Sequence, residues 1–168
     1  MKNTHIKLLT YSSLFAAAIY VMTMISIPVA FGYVHVGDTL IMLCASLLPG
    51  WYAVLASAVG GALADLTLGY ITYIPFTFVI KALIAFLFRS KSEKILCKYN
   101  LFALIGVVLI TPVGYYLAEC LIYSSFASPL ASLPFNILQA AASIILYVVA
   151  GMALDAFNIK KYLHFKRK

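Results

Sequence analysis

The sequence predicts an all-α integral membrane protein, a bundle of six transmembrane helices with both termini cytoplasmic. Three observations predict it. Hydrophobic residues make up 64% of the chain and charged residues only 10%, against about half and about a quarter in soluble domains. Apolar tracts recur at a length of about 20 residues, enough for a hydrocarbon core of roughly 30 Å. The Lys and Arg residues, Lys81 apart, fall outside those tracts. They sit at the amino end (Lys2, Lys7), in a middle segment (Arg89, Lys91, Lys94, Lys98) and in the tail (Lys160, Lys161, Lys166, Arg167, Lys168).

Residues 8 to 28 form the first tract. Its length, and the lack of a small-residue cleavage site before Pro28, read as a retained span and not a signal peptide. Pro28, Gly32 and Gly37 mark a loop that includes Phe31. Asp38 and Thr39 then open a run ending at Pro49 and Gly50. At about ten residues it is too short to cross upright, so either it extends back through Val34 to Val36 or it is an irregular segment buried among other helices. Trp51 begins helix three, which runs to about Leu68 and carries Ala56, Gly60, Gly61 and Ala64, small enough for close helix contact. A turn over residues 69–74 leads to Pro75, suited to the first turn of helix four, which ends near Phe88. Arg89 to Asn100 is a polar loop. Helix five runs from Leu101 to about Tyr123 with a kink expected at Pro112. An uncharged loop over 124–134 precedes helix six, from about Phe135 to Asn158.

The positive-inside rule puts the amino end, the middle basic loop and the tail on one side, which requires an even number of crossings between each pair. Four crossings before the middle loop and two after it give six. The loops at 29–37, 69–74 and 124–134, none with a Lys or Arg, then face outward. The same placement removes nucleic acid as the meaning of the +7 net charge, because the cations flank membrane segments instead of forming a face on a folded domain. Cys44, Cys97 and Cys120 lack metal-ligand spacing and read as packing residues. The sequence has no Gly-rich Lys-Ser/Thr phosphate loop, no His-Glu-x-x-His helix, no suggested triad and no internal repeat of the secondary-transporter kind. No catalytic residue, metal or cofactor is expected.

Ionisable residues within spans are functional suspects. In the six-span topology they gather in the outward half. Asp38 and Thr39 open helix two, Asp65 is about one turn from the outer end of helix three, and Lys81 is about two turns into helix four, beyond Tyr73 and Thr77. Glu119 is about one turn from the outer end of helix five, and Asn136 and Gln139 lie in the first turns of helix six. Asp155, near the inner end of helix six, reads as interfacial. A one-sided cluster reads as a pocket open to the outside; the alternative is that Lys81 and Asp65 pair as structural ions linking neighbouring helices. Tyr33, Tyr70, Tyr73, Tyr115, Tyr116 and Tyr123 enrich the same zone, as an interfacial belt or, for an inward-facing subset, as stacking surfaces with hydroxyl donors. His35, in the outer loop, is a candidate ligand or lid contact.

Gly37, Asp38 and Thr39, followed by Leu48, Pro49 and Gly50, then Gly60, Gly61 and Asp65, and finally Tyr73, Pro75, Thr77 and Lys81, form a pattern. It resembles the substrate-binding membrane subunits, or S components, of energy-coupling factor vitamin transporters. The likeness covers the six helices in length and layout, with its motifs concentrated between residues 32 and 81. It implies one transmembrane substrate-binding domain over residues 1–168 in the cell membrane, working with a coupling membrane protein and two cytoplasmic ATPase subunits. The ligand implied is a small water-soluble vitamin. The candidate substrate-binding residues are His35, Asp38, Thr39, Asp65, Tyr73, Thr77, Lys81, Tyr115, Glu119, Asn136 and Gln139. Such proteins present small residues at four-residue spacing on helix one to the coupling protein; here these are Ser12, Ser13, Ala16 and Ala17 in place of paired Ala-x-x-x-Ala repeats. The pattern is most similar to members taking pyridoxine-type ligands or hydroxymethylpyrimidine. Pantothenate or a queuosine precursor also fits a pocket of Tyr, Asn, Gln, Asp and Lys. The competing classes are a membrane enzyme with a catalytic carboxylate or Lys in an outward cavity, and an assembly subunit.

Overall fold

A computed structural model describes residues 2–29 and 32–163. Phe31 and the tail cations Lys166, Arg167 and Lys168 lie outside the described residues, as does the side chain of Lys2. The chain runs α1 (Lys2–Met24), β1 (Ser26–Pro28), β2 (Tyr33–His35), α2 (Asp38–Leu47), α3 (Trp51–Leu68), a 3₁₀ turn (Ile71–Tyr73), α4 (Ile74–Leu87), α5 (Lys98–Tyr123), a second 3₁₀ turn (Ser128–Ala131), α6 (Leu133–Ala156) and α7 (Ile159–Tyr162).

The first helix stops at Met24, four residues short of the expected end. Pro28 has no N–H and biases Ile27 toward extended backbone, so the chain leaves the helix and forms an antiparallel ribbon. Ser26 pairs with His35, Ile27 with Val34 and Pro28 with Tyr33. The expected outer loop is therefore a hairpin, and α2 does not extend back through Val34 to Val36. Helix five begins at Lys98, inside the expected polar loop, and runs unbroken through Pro112.

Among the described residues four helices are long and apolar enough to cross a membrane: α1, α3, α5 and α6. The chain is accordingly a multi-pass membrane protein. Six spans of full length are not found, because α2 has 10 residues and α4 has 14, about 15 and 21 Å of helix. The physical reason is burial. Of α2 only Leu40 and Leu47 are not buried, since α1, α3, α4 and α6 surround it. A helix enclosed by protein does not have to match the bilayer thickness, and irregular backbone at its ends is tolerated there.

Side-chain contacts give the direction of each helix. His5 bonds Tyr52 near the starts of α1 and α3, whereas Tyr20 bonds Thr67 near their ends. Asp38 at the start of α2 meets Gln139 early in α6, and Ser46 near its end meets Tyr147 farther along α6. Thr77 near the start of α4 approaches Tyr115 late in α5, and Arg89 just past α4 meets Asn100 at the start of α5. The helices thus alternate in direction from α1 to α6, and the bundle has two distinct ends.

One end is strapped shut. The buried Asn100 amide nitrogen shares its two hydrogens among the Ser46 hydroxyl oxygen and the carbonyls of Arg89 and Ile95, and its oxygen accepts from the Arg89 N–H. Asp155 accepts the N–H groups of Ile95 and Leu96 at 2.7 and 3.0 Å. Lys160 donates to the carbonyls of Ser90, Ser92 and Lys94, bringing the start of the basic tail against the basic middle segment. The expected interfacial residue Asp155 is therefore a connector between α6 and the segment joining α4 to α5.

Beside α2, α3 packs against α1, α2 and α4. Its small residues make this close approach feasible. A Cβ on Gly60 would lie 2.7 Å from the Ala16 carbonyl, and one on Gly61 would lie 2.9 Å from Lys81 Cγ. Gly61 thereby makes room for the one cation that the sequence places between Lys7 and Arg89.

Candidate functional site

At the open end of the bundle the hairpin, the α3–α4 turn and the facing parts of α5 and α6 enclose a cavity. Its empty volume is about 310 Å³ including the mouth. The lining falls into two chemical sets. The aromatic set is Tyr33, Tyr70, Tyr73 and Tyr115 with His35; the polar set is Asp65, Glu119 and Asn136.

The tyrosines form a continuous group. Ring centroids are 5.0 Å apart for Tyr33 and Tyr70, and 5.8 Å for Tyr70 and Tyr73 in an edge-on arrangement. Tyr33 lies 5.5 Å from the His35 ring, and the hydroxyls of Tyr73 and Tyr123 are 3.1 Å apart. Tyr116 instead donates to the Phe126 carbonyl and does not line the cavity. The inward subset is therefore Tyr33, Tyr70, Tyr73 and Tyr115. Tyr33 and Tyr70 were legible only as members of a tyrosine-rich zone; the signal for Tyr33 is the alternation Tyr33–Val34–His35, which puts residues 33 and 35 on one face of a strand.

Two carboxyls hold the rim of this group. Asp65 and Glu119 are each 2% exposed. Tyr33 donates its hydroxyl to Asp65 Oδ1, and Ser132 donates to Glu119 Oε2. Asp65 Oδ2 is buried beside Thr77 and lacks a hydrogen bond of ordinary geometry.

Behind the cavity lies a second polar layer. Lys81 Nζ sits 2.6 Å from Asp38 Oδ1, with both side chains fully buried. The expected alternative, a Lys81–Asp65 pair, is corrected: Lys81 reaches α2, and Asp65 takes the hairpin tyrosine instead. Gln139 Nε2 donates to Asp38 Oδ2 at 3.2 Å, and its Oε1 accepts the His35 N–H. Thr39 donates to the Ser143 carbonyl at 3.1 Å. The Lys81 ammonium lies 5.1 Å from the centroid of the Tyr115 ring, whose hydroxyl is 3.4 Å from that of Thr77. Of the eleven candidate residues, His35, Asp65, Tyr73, Tyr115, Glu119 and Asn136 line the cavity. Asp38, Thr39, Thr77, Lys81 and Gln139 buttress it from behind.

His35, in the hairpin, is fixed as a neutral ring. Its Nδ1 accepts the Gly37 N–H at 2.9 Å, which leaves no room for a proton on that nitrogen. Burial, and then the Lys81 ammonium, push its pKa down to about 3, with Asp38 opposing.

On α1 the four small residues divide. Ser13 and Ala17 are exposed one turn apart, whereas Ser12 and Ala16 are half-buried, with the Ala16 carbonyl facing Gly60 on α3.

Residues 3–156 match the model of a family described as the ECF-type riboflavin transporter, S component. No curated protein matches the chain. The family match overturns the expectation of a pyridoxine-type or hydroxymethylpyrimidine ligand, and with it the pantothenate and queuosine-precursor alternatives; a transporter subunit also displaces the membrane-enzyme and assembly-subunit readings. The physical reason for the error is that tyrosines, carboxyls and an amide suit any small polar ring, so residue types alone carry no measure of ring size.

Proposed function

The chain belongs to the family of ECF-type riboflavin transporter S components, and from that premise we propose that it captures riboflavin in the tyrosine-lined cavity for ATP-driven uptake. The observation that carries this reading is the pairing of an aromatic wall with hydrogen-bonding groups of limited kind. Riboflavin is a planar tricyclic ring bearing a polyhydroxyl chain. The ring stacks on tyrosine faces, the chain hydroxyls donate to the carboxyls of Asp65 and Glu119, and Asn136 both donates and accepts at a ring edge. The second layer of Asp38, Thr39, Thr77, Lys81 and Gln139 holds these groups in position. The figure of about 310 Å³ counts the open mouth, and the enclosed space is smaller than a tricyclic ring needs, so in this reading the hairpin moves aside as the ring enters.

In this reading residues 1–168 form one substrate-binding domain that traverses the membrane six times, with α2 and α4 as the short crossings. Both termini are cytoplasmic and the cavity faces outward. The support is the alternating helix direction, together with basic residues at the strapped end and none in the connections at the cavity end. A coupling membrane protein and two ATPase subunits supply the energy. The docking face on α1 is the exposed Ser13 and Ala17 pair, whose small side chains permit a close helix approach.

Titration of the purified protein in detergent with riboflavin, followed by flavin fluorescence, tests the central claim. Saturable quenching at one ligand per chain is the expected result. Unchanged fluorescence, with no flavin carried through purification, would overturn it.

A further inference from the structure

The strapped end of the bundle, opposite the cavity, carries a surplus of exposed positive charge. Arg89, Lys91, Lys94 and Lys98 are exposed, as is Lys161 beyond α6. The chain has five carboxylate side chains, and Asp38, Asp65 and Glu119 lie at or behind the cavity. Of the other two, Asp155 is occupied by the Ile95 and Leu96 N–H groups, which leaves Glu93 alone against the five exposed cations. None of these cations is in an ion pair among the described residues.

Two of them stand at the foot of an apolar surface. On α4, Leu83 and Phe86 are exposed one turn apart, and exposed Arg89 follows just past the helix end. On α5, exposed Lys98 lies one turn before Phe102, with Ile105 continuing along the same face. The two helices are antiparallel neighbours, with Leu87 against Gly106 and Ile80 against Gly114, and helical spacing sets both stripes beside that seam.

Arg89 is held at this point from two sides. Its backbone N–H donates to the Asn100 side chain at 2.8 Å, and its guanidinium lies 4.6 Å from the centroid of the Tyr99 ring. Stacking on a ring uses the face of the guanidinium and leaves its N–H edge for phosphate oxygens. The exposed aromatics Phe86, Tyr99 and Phe102 beside the cations suit the boundary between hydrocarbon and headgroups, whereas a soluble anion would leave them without a partner. The face proposed for the coupling protein is on α1, which packs against α2 and α3.

We propose that the α4–α5 seam at the strapped end binds an anionic phospholipid, with its tails along Phe86 and Phe102 and its headgroup phosphate on Arg89 and Lys98. Zwitterionic lipids share the phosphate, but their ammonium group meets the surplus of cations, so the surface selects net negative charge.

The test is native mass spectrometry of the full chain in detergent, titrated with phosphatidylglycerol and, separately, with phosphatidylcholine of the same acyl chains. The parent binds phosphatidylglycerol about tenfold or more tightly. Arg89→Gln removes most of that preference, and Arg89→Lys restores only part of it, because the stacked fork is lost. Lys7→Gln, which deletes an exposed cation near the start of α1, leaves the preference unchanged, and Phe102→Ala weakens both lipids alike. A thermal melt identifies a variant that fails to fold, and Lys98→Gln then takes the place of Arg89→Gln. Equal binding of the two lipids by the parent, or an equal loss of preference in Lys7→Gln, overturns the proposal. So does a melting-temperature rise with inorganic phosphate alone that matches the rise with phosphatidylglycerol, which would make this a site for a bare anion.

Discussion

Lys81 on α4 and Asp38 at the start of α2 form a fully buried ion pair, with Nζ 2.6 Å from Oδ1. Gln139 on α6 shares the same carboxylate, so one carboxylate joins three helices directly behind the cavity. Removing either charge strands the other in a low-dielectric interior, at a cost of about 3–5 kcal/mol. Lys81→Ala and Asp38→Ala each lower the melting temperature sharply and weaken ligand binding, whereas Lys81→Met combined with Asp38→Leu recovers much of the stability. A double variant no more stable than either single alanine variant in thermal melts would show that the pair is not the anchor.

Asn100 closes the opposite end. Its amide serves the Arg89 and Ile95 carbonyls, the Arg89 N–H and the Ser46 hydroxyl. Asn100→Ala leaves several of these without a partner, costing about 1–3 kcal/mol. The segment between α4 and α5 then becomes a site of proteolysis. Equal cleavage rates for the two proteins would contradict the strap.

Gly60 sets the separation of α1 and α3. A Cβ there meets the Ala16 carbonyl at 2.7 Å and Ile19 at 3.0 Å, and a backbone carbonyl cannot swing aside. Gly60→Val is expected to cost about 1–3 kcal/mol by overpacking, read as a lower melting temperature. A variant as stable as the parent would show that α1 yields freely.

The exposed face of α1 separates capture from transport. Ser13→Leu with Ala17→Leu blocks close helix approach, so uptake by cells that also produce the coupling protein and ATPases falls, while riboflavin binding by the isolated chain persists. Uptake at the parent rate would move the docking face elsewhere.

His35 makes the hairpin sensitive to acid. Its pKa drops from 6.5 unfolded to about 3 folded through burial and the Lys81 ammonium, so the unfolded chain binds the extra proton at intermediate pH. The stabilisation is complete above about pH 6.5 and is lost progressively as pH falls toward 3. His35→Gln should flatten that part of the stability–pH curve; an unaltered slope would assign the acid sensitivity to other groups.

Helix content and membrane residence were legible in the sequence because long apolar tracts have one stable solution in lipid. The polar cluster was legible for a related reason: Asp38, Asp65, Lys81 and Glu119 stand out against apolar neighbours. Their partners were not. Helical spacing places Lys81 and Asp65 both within reach of a shared interior, yet the direction in which each side chain crosses depends on α2, whose short length gave no register.

By itself the sequence determined the helical membrane class, the rough order of apolar segments and breaks, and the concentration of polar residues toward one end, since hydropathy, proline and charge act locally. Only the tertiary structure decided that α2 is an enclosed short helix, that Lys81 is neutralised by Asp38, and that Tyr33 bonds Asp65. Those outcomes depend on helix separations set by Gly60 and Gly61 and on contacts between residues far apart in the chain, which no local pattern encodes.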